Sequence, residues 1–303
     1  MKWMAALPLA ALPAVAAEAG LGDYRPVFAP ARTEDGRALV VIRRFLLAGK
    51  PHVLTVEIPD FRTRIRPEEW ISWERSADVA ASYAALLDAL SGPPHPVENA
   101  GLTHARAAAE GFFLTVDMCP SSKPFEARFF AALAARAARD GRAMPVAISI
   151  SGYWALDHAA EFASLIERQR LGQLDISWVN HSYAHRYVRG VPDRENFLLL
   201  PHTDFEQEVL RTEQLLIARG LTPSVFFRFP GLVSDARLMA ALRRLGLVPL
   251  GADAWLAKLQ KPKPGSIVLV HGNGNEPFGI HEARRYLADA TRRWLPLTEA
   301  LAG

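Results

Sequence analysis

The chain has 303 residues, half of them apolar, which is enough to bury one large core or two modest ones and excludes a disordered protein. Its 35 Lys and Arg against 32 Asp and Glu leave a formal charge of +3, and no basic run gathers that excess into a patch, which argues against a nucleic-acid partner. Cys119 is the single cysteine, so no intramolecular disulfide can form.

The first residues, "MKWMAALPLAALPAVAAEAG", run from one Lys through a proline-broken apolar stretch to small residues at Ala14, Ala16 and Ala17. This is the order of a secretory signal over residues 1–17, cleaved near Ala16 or Ala17, and it places the mature protein in the periplasm or outside the cell. No later segment reaches about 18 uninterrupted apolar residues, so no spanning helix is expected in the mature chain.

Next, "RALVVIRRFLLAGKPHVLTVEI" reads as two strands around the turn signal "AGK". "PEEWISWERSADVAASYAALLDAL" has early acids and then apolar residues at helical spacing, stopping at "SGPPHP". Residues 24–105 are therefore expected to form a small ββα segment ahead of a domain over residues 106–303.

From Gly111 onward the rhythm changes. Short apolar runs, "FFLTVDM", "PVAISIS", "DISWVNHS", "SVFFRFP", "LVPLGAD" and "SIVLVHG", alternate with helical patterns such as "EARFFAALAARAARDG" and "DFEQEVLRTEQLLIARG" that end in Gly before the next strand. This βα repetition implies a parallel sheet flanked by helices, either open and doubly wound or most of a barrel.

The chemistry-bearing residues fall at or just past the C-terminal ends of these strands: Asp117, His181 with His185, Arg228, Asp253 and His271. In parallel α/β architectures that edge carries the active site. His181 and His185 are four apart, so a helical turn after the strand would put both imidazoles on one face, able to share a metal. Arg228 can orient a carboxylate across the sheet edge and keep it ionised, with Asp117 as partner, while Pro230 and Gly231 fix the turn that follows. His271 leaves an apolar strand into a Gly-rich turn, a place for a general acid or base. Cys119 reads as a small buried cysteine, the common case, because no Cys–His partnership is visible in the sequence.

Taken in order, "TVDMCP", "HSYAH", "RFPG", "ADAW" and "LVH", spread over residues 112–275, resemble the motifs of the polysaccharide deacetylase family, carbohydrate esterase family 4: TFDDGP, H[ST]xxH, RxPxG, a Trp-containing DxxDW and LxH. The resemblance implies a distorted (β/α) barrel of about seven strands. It makes Asp117 the catalytic base, His271 the general acid and Arg228 the residue orienting the base. It further makes His181 and His185 ligands of a divalent metal, most naturally zinc. Trp255, with Pro230 and Gly231, would wall the substrate site, and Asp253 would tune His271 from two residues before the Trp.

The departure from the pattern is Met118, which stands where the family has its metal-binding aspartate. A thioether is a poor ligand for zinc. Asp117 itself could ligate, Glu126 at a helix start could reach in as replacement, or no catalytic metal is held. The expected function is exported, metal-dependent deacetylation of an acetylated polysaccharide or cell-wall glycan. The alternatives are a catalytically impaired glycan-binding or assembly protein and a hydrolase of small non-sugar amides.

Overall fold

The computed structural model describes residues 20–302, so the expected signal segment lies outside the described residues. The chain opens with strands β1 (Leu21–Thr33), β2 (Ala38–Leu47), β3 (Lys50–Glu57), β4 (Thr63–Pro67) and β5 (Ile71–Trp73), followed by helix α1 (Asp78–Ser91). They form an antiparallel sheet in the order β4-β3-β2-β1-β5. The sequence suggested only the β2–β3 hairpin. β1 escaped notice because Pro26 and Pro30 interrupt its pattern, and register shifts at Gly22/Arg25 and Pro26/Ala29 absorb them. The stretch expected to begin a helix at its acidic end instead forms a short 3-10 turn over Glu68–Trp70 and then β5; the helix starts only at Asp78.

The second layer is the anticipated βα repetition. It comprises β6 (Phe113–Met118), α2 (Ala127–Asp140), β7 (Met144–Ile150), α3 (Gly152–Asp157), α4 (Ala159–Arg170), β8 (Leu174–Asn180), α5 (Phe205–Ala218), β9 (Pro223–Phe227), α6 (Ala236–Arg244), β10 (Val248–Pro249), β11 (Ala254–Trp255), β12 (Ile267–His271) and α7 (Pro277–Ala288). All seven strands run parallel, in the order β10-β9-β8-β7-β6-β12-β11. The sheet curls into a half-barrel whose edge strands β10 and β11 do not pair. Residues 98–104 lie along the seam, bridging Glu98 to Val233, Leu102 to Leu250 and His104 to Ser266, and the Asn99 amide exchanges two hydrogen bonds with Ala252 (2.6 and 2.8 Å).

Strand alternation sorts the core into two layers. Along β6, Phe113 joins the cluster inside the curl, which includes Ala147, Phe227 and Leu269. Leu114, Val116 and Met118 point the other way, into a helix-side cluster with Phe129, Phe130 and Leu133. The N-terminal segment shares the first of these cores, since Val40, Ile42, Leu54 and Tyr83 belong to the same cluster as Leu238, Leu242 and Leu245.

One buried ion pair ties the antiparallel sheet to the barrel. Arg43 and Glu213, both essentially inaccessible, meet in a fork of two hydrogen bonds of 2.6 and 2.8 Å. Arg43 Nη1 also donates to the carbonyls of Ile42 and Leu245, and the Tyr24 hydroxyl donates to Glu213 at 2.8 Å. Burial and the Glu213 charge push the Tyr24 hydroxyl well above its ordinary value. Breaking such a pair strands a buried charge, whereas replacing both partners with apolar groups is close to neutral. Glu213→Ala should therefore lose about 3–5 kcal/mol in denaturant unfolding, and Arg43→Met with Glu213→Leu should recover most of it. Equal losses in the single and double variants would show that packing, not the stranded charge, sets the cost.

Candidate functional site

At the C-terminal edge of the half-barrel lies a cavity of about 820 Å³ whose lining includes Asp117, Cys119, His181, His185, Trp255 and His271. The parallel register explains part of this convergence. Asp117 on β6 lies directly opposite His271 on β12, so two adjacent strand ends present a carboxylate and an imidazole at one level.

Asp117 is 3 % exposed and Arg228 is fully buried, which makes their contact a charge pair shielded from water. Arg228 Nη1 donates to Asp117 Oδ1 at 2.8 Å and to the Thr115 hydroxyl at 2.7 Å, while Nη2 donates to the Gly251 carbonyl at 2.8 Å. Burial by itself would raise the Asp117 pKa, but Arg228, then His181 and His271, outweigh it and hold the carboxyl below its ordinary value. Its second oxygen, Oδ2, faces His181 Nε2 at 3.8 Å.

The two histidines converge, though not on a helix as their spacing suggested. Residues 181–188 follow β8 as a non-helical loop, with Ser182 (φ 64°) and His185 (φ 46°) both in the left-handed region. Side chains replace the missing helical bonds. Asn180 Oδ1 accepts from Ser182 N–H, Ser182 Oγ from His185 N–H, and one Glu208 oxygen from both Tyr183 and Ala184 N–H. His181 Nδ1 lies 2.8 Å from the Arg228 carbonyl, and because a carbonyl only accepts, Nδ1 carries a proton and Nε2 is turned to the cavity; burial alone would lower this imidazole's pKa, but Asp117 and Cys119 outweigh it and raise it. His185 Nε2 approaches that atom at 3.2 Å.

Phe197 packs edge-on against His185, and Gly231 makes room for it: at φ 64° a Cβ there would come within 2.4 Å of the Phe197 ring. Gly231 thus lines the cavity, while Pro230 begins the turn and is buried. The long connection after the histidines borders the cavity with Arg186, Tyr187, Asp193 and Phe197.

His271 has a partner that the sequence did not indicate. Its Nδ1 lies 2.8 Å from Glu276 Oε2, and the same oxygen accepts from Trp255 Nε1 at 2.8 Å. Burial opposes charge on His271, yet the hydrogen bonds it donates to Cys119 and Glu276 and the negative charge of Cys119 and Asp117 prevail, raising the imidazole well above its ordinary value. Trp255 lines the cavity with Lys258 Nζ stacked 3.7 Å over its ring.

The part expected of Asp253 therefore falls to Glu276. Asp253 precedes β11, whose pairing sets Ala254 beside Val268, so it lies level with the start of β12, about 13 Å below His271. Its carboxylate accepts from Ser266 Oγ and Ile267 N–H and meets His104 Nδ1 at 2.7 Å, and it does not line the cavity.

Glu126 is likewise absent from the lining and sits half-buried at the start of α2, with its backbone N–H donating to the Gly272 carbonyl. Among the described residues the group whose geometry could hold a metal ion is Cys119, His181 and His185, whose candidate ligand atoms all lie within 4.8 Å of one another. Cys119 Sγ is 3.5 Å from His181 Nε2. Burial alone would raise this thiol, but His185 and His181 outweigh it and hold it well below the usual thiol range. One thiol and two imidazoles suit a borderline cation such as zinc, so the donor set fits a divalent metal. The signal for Cys119 was its parity with Asp117, two residues earlier on the same strand end; nothing periodic marked Glu276.

No family model matches the chain. Among solved structures, a family 4 carbohydrate esterase from Bacillus anthracis shares the fold with a TM-score of 0.50 at 16 % identity, over 76 % of this chain and 94 % of that one. The chitin deacetylase of the fungal pathogen Colletotrichum lindemuthianum matches at 17 % identity and TM-score 0.45, over 66 % and 90 %. A family 4 pseudoenzyme from Bacillus anthracis matches at 14 % and 0.44, over 66 % and 68 %. At such identities the likeness, carried by the first of these, is one of fold: the curled seven-stranded parallel sheet is the architecture of a family 4 carbohydrate esterase.

Proposed function

We propose that the protein is an exported, metal-dependent carbohydrate deacetylase that removes N- or O-acetyl groups from a polysaccharide or cell-wall glycan. The observation that carries this reading is the convergence, in one cavity, of an Arg-paired carboxylate, a Glu-paired imidazole and two further imidazoles. The shared fold with a family 4 carbohydrate esterase supports it.

A divalent ion held by His181 and His185 would lower the pKa of attacking water and polarise the acetyl carbonyl. The chain's own groups perform the proton transfers. Asp117, with Oδ1 fixed by Arg228, keeps Oδ2 facing the histidines to take a proton from the water, and stays ionised at neutral pH. His271, held protonated and oriented through Nδ1 by Glu276, has its other nitrogen toward Cys119 and the cavity; it would exchange that hydrogen bond for one to the leaving group and donate a proton as the carbon–nitrogen or carbon–oxygen bond breaks. Trp255 offers an aromatic wall beside His271, at 5.8 Å between ring centroids, for a sugar ring.

The glycan-binding alternative rests on Met118 and Cys119, which stand where the family pattern has Asp and Gly. The Met118 side chain belongs to the helix-side core and does not line the cavity, whereas Cys119 does. The deciding experiment is acetate release from acetylated chito-oligosaccharides and O-acetylated xylan by zinc-loaded protein. Asp117→Asn and His271→Ala should each lower kcat/KM by about 10²–10⁴-fold. Glycan binding without acetate release by the unaltered protein would instead favour the binding role.

The pH profile gives a second check. Activity that needs protonated His271 fails as pH rises through its elevated pKa, so the alkaline limb should lie above the ordinary histidine range. Glu276→Gln removes the charge that favours the imidazolium, so the limb should move to lower pH with little change on the acid side. An unmoved limb would mean that another group supplies the proton.

A further inference from the structure

We propose that Cys119 is the third protein ligand of this metal site: a thiolate takes the place of a carboxylate, and the ligand position is displaced by one residue along the end of β6. The inference rests on the reading that the histidine pair holds a metal, and it specifies which metal and through which atom.

The displacement follows from the alternation of a strand. Asp117 faces the cavity, Met118 faces the helices, and Cys119 faces the cavity again. Met118 is fully buried, and its sulfur lies so close to Gly272 that a Cβ there would stand 2.8 Å from it. On this backbone a carboxylate at 118 would enter the apolar layer of Phe129 and Phe130, where its desolvation would go uncompensated. Positions 117 and 119 are the neighbours that face the cavity; Asp117 is engaged through Oδ1 by Arg228, with Oδ2 at 3.8 Å from His181 Nε2, and Cys119 brings its sulfur closer, to 3.5 Å of the same nitrogen.

Two of the three donor–donor separations match the edges of a zinc tetrahedron, and the third lies within 4.8 Å. Bonds of about 2.0–2.1 Å to nitrogen and about 2.3 Å to sulfur, at tetrahedral angles, require edges of roughly 3.3 Å between nitrogens and roughly 3.6 Å between nitrogen and sulfur. The corresponding separations are 3.2 Å for His181 Nε2 to His185 Nε2 and 3.5 Å for His181 Nε2 to Cys119 Sγ. Both contacts use the one nitrogen whose lone pair is left free by the Nδ1 bond to the Arg228 carbonyl.

The backbone that carries the thiol is itself held: fully buried Asn273 donates from Nδ2 to the Cys119 carbonyl at 2.8 Å. All three donors line the cavity, so a fourth position opens to substrate, as in hydrolytic rather than structural zinc sites. Thiolate softness selects zinc or cobalt over magnesium, calcium or manganese, and a thiolate restores the negative charge that Met118 lacks.

The test reads the metal, not turnover. Chelator-treated protein is titrated with Co²⁺ alone and followed by absorption. One equivalent should bind with a near-ultraviolet thiolate-to-cobalt charge-transfer band and the visible spectrum of a four-coordinate ion. Cys119→Ser should abolish the band and weaken Zn²⁺ binding by at least about 100-fold, at the upper end of what loss of an outer-shell partner costs. Cys119→Asp should bind one equivalent without the band and accept Mn²⁺ more readily.

Stoichiometric cobalt binding without the band in the unaltered protein, a Cys119→Ser variant that keeps its zinc affinity within about threefold, or failure to retain any cobalt would each overturn the assignment. Because the band is measured on the unaltered protein, misfolding of a variant cannot mimic or hide it. A band without acetate release would leave the thiolate site standing and remove the deacetylase reading. Acetate release that is undiminished in Cys119→Ser would do the reverse.

Discussion

The site depends on a guanidinium that has no access to water. Arg228 leaves the end of β9 and reaches Asp117 and Thr115 on β6 and the Gly251 carbonyl beyond β10, so one planar side chain joins the ends of strands on both arms of the curl. Its own backbone carbonyl fixes His181. A buried cation without these partners would be too costly to keep, and Asp117 without the cation would be pushed toward the neutral acid. The Asp117 carboxylate, the His181 imidazole and the chain beyond β10 are thus held by one residue, and geometry and ionisation are set together.

A second buried charge pair does for the fold what Arg228 does for the site. Arg43 and Glu213 lie where the antiparallel sheet meets α5, and their remaining hydrogen-bonding capacity goes to Tyr24 and two carbonyls. With the Tyr83 hydroxyl on the Gly246 carbonyl and Thr63 on the Pro223 carbonyl, they give the N-terminal sheet a fixed seat on the barrel, which apolar contacts alone would specify less sharply. The seam between β10 and β11 is handled differently, by a stretch of chain whose backbone and Asn99 satisfy the edge groups that closure leaves unpaired.

The local pattern carried much of this. Alternating apolar runs and amphipathic helices gave the parallel sheet, and six strand positions were legible because β-branched and aromatic residues cluster there. β1 was not, since its prolines are tolerable only at a bulged strand with a single long partner. The histidine pair was legible as a pair, but its convergence comes from left-handed residues stabilised by Asn180 and Glu208, which no four-residue spacing encodes. Glu276, which nothing in the sequence marked, takes the place beside His271 expected of Asp253, because the register of β11 on β12 leaves Asp253 at the far end of the strand.

By itself, the sequence determined which residue types stand at strand ends, and with them the class of chemistry available: two carboxylates, an arginine and three imidazoles. It also contained the parity that sets Asp117 and Cys119 on one face and Met118 on the other. Only the tertiary structure decided which face is the cavity and which donor atoms meet there. Those contacts join residues tens of positions apart, through the curl of the sheet and the placement of loops between helices. Side-chain type is a local property of the chain, whereas convergence depends on register and curvature, which the packing of both cores fixes together.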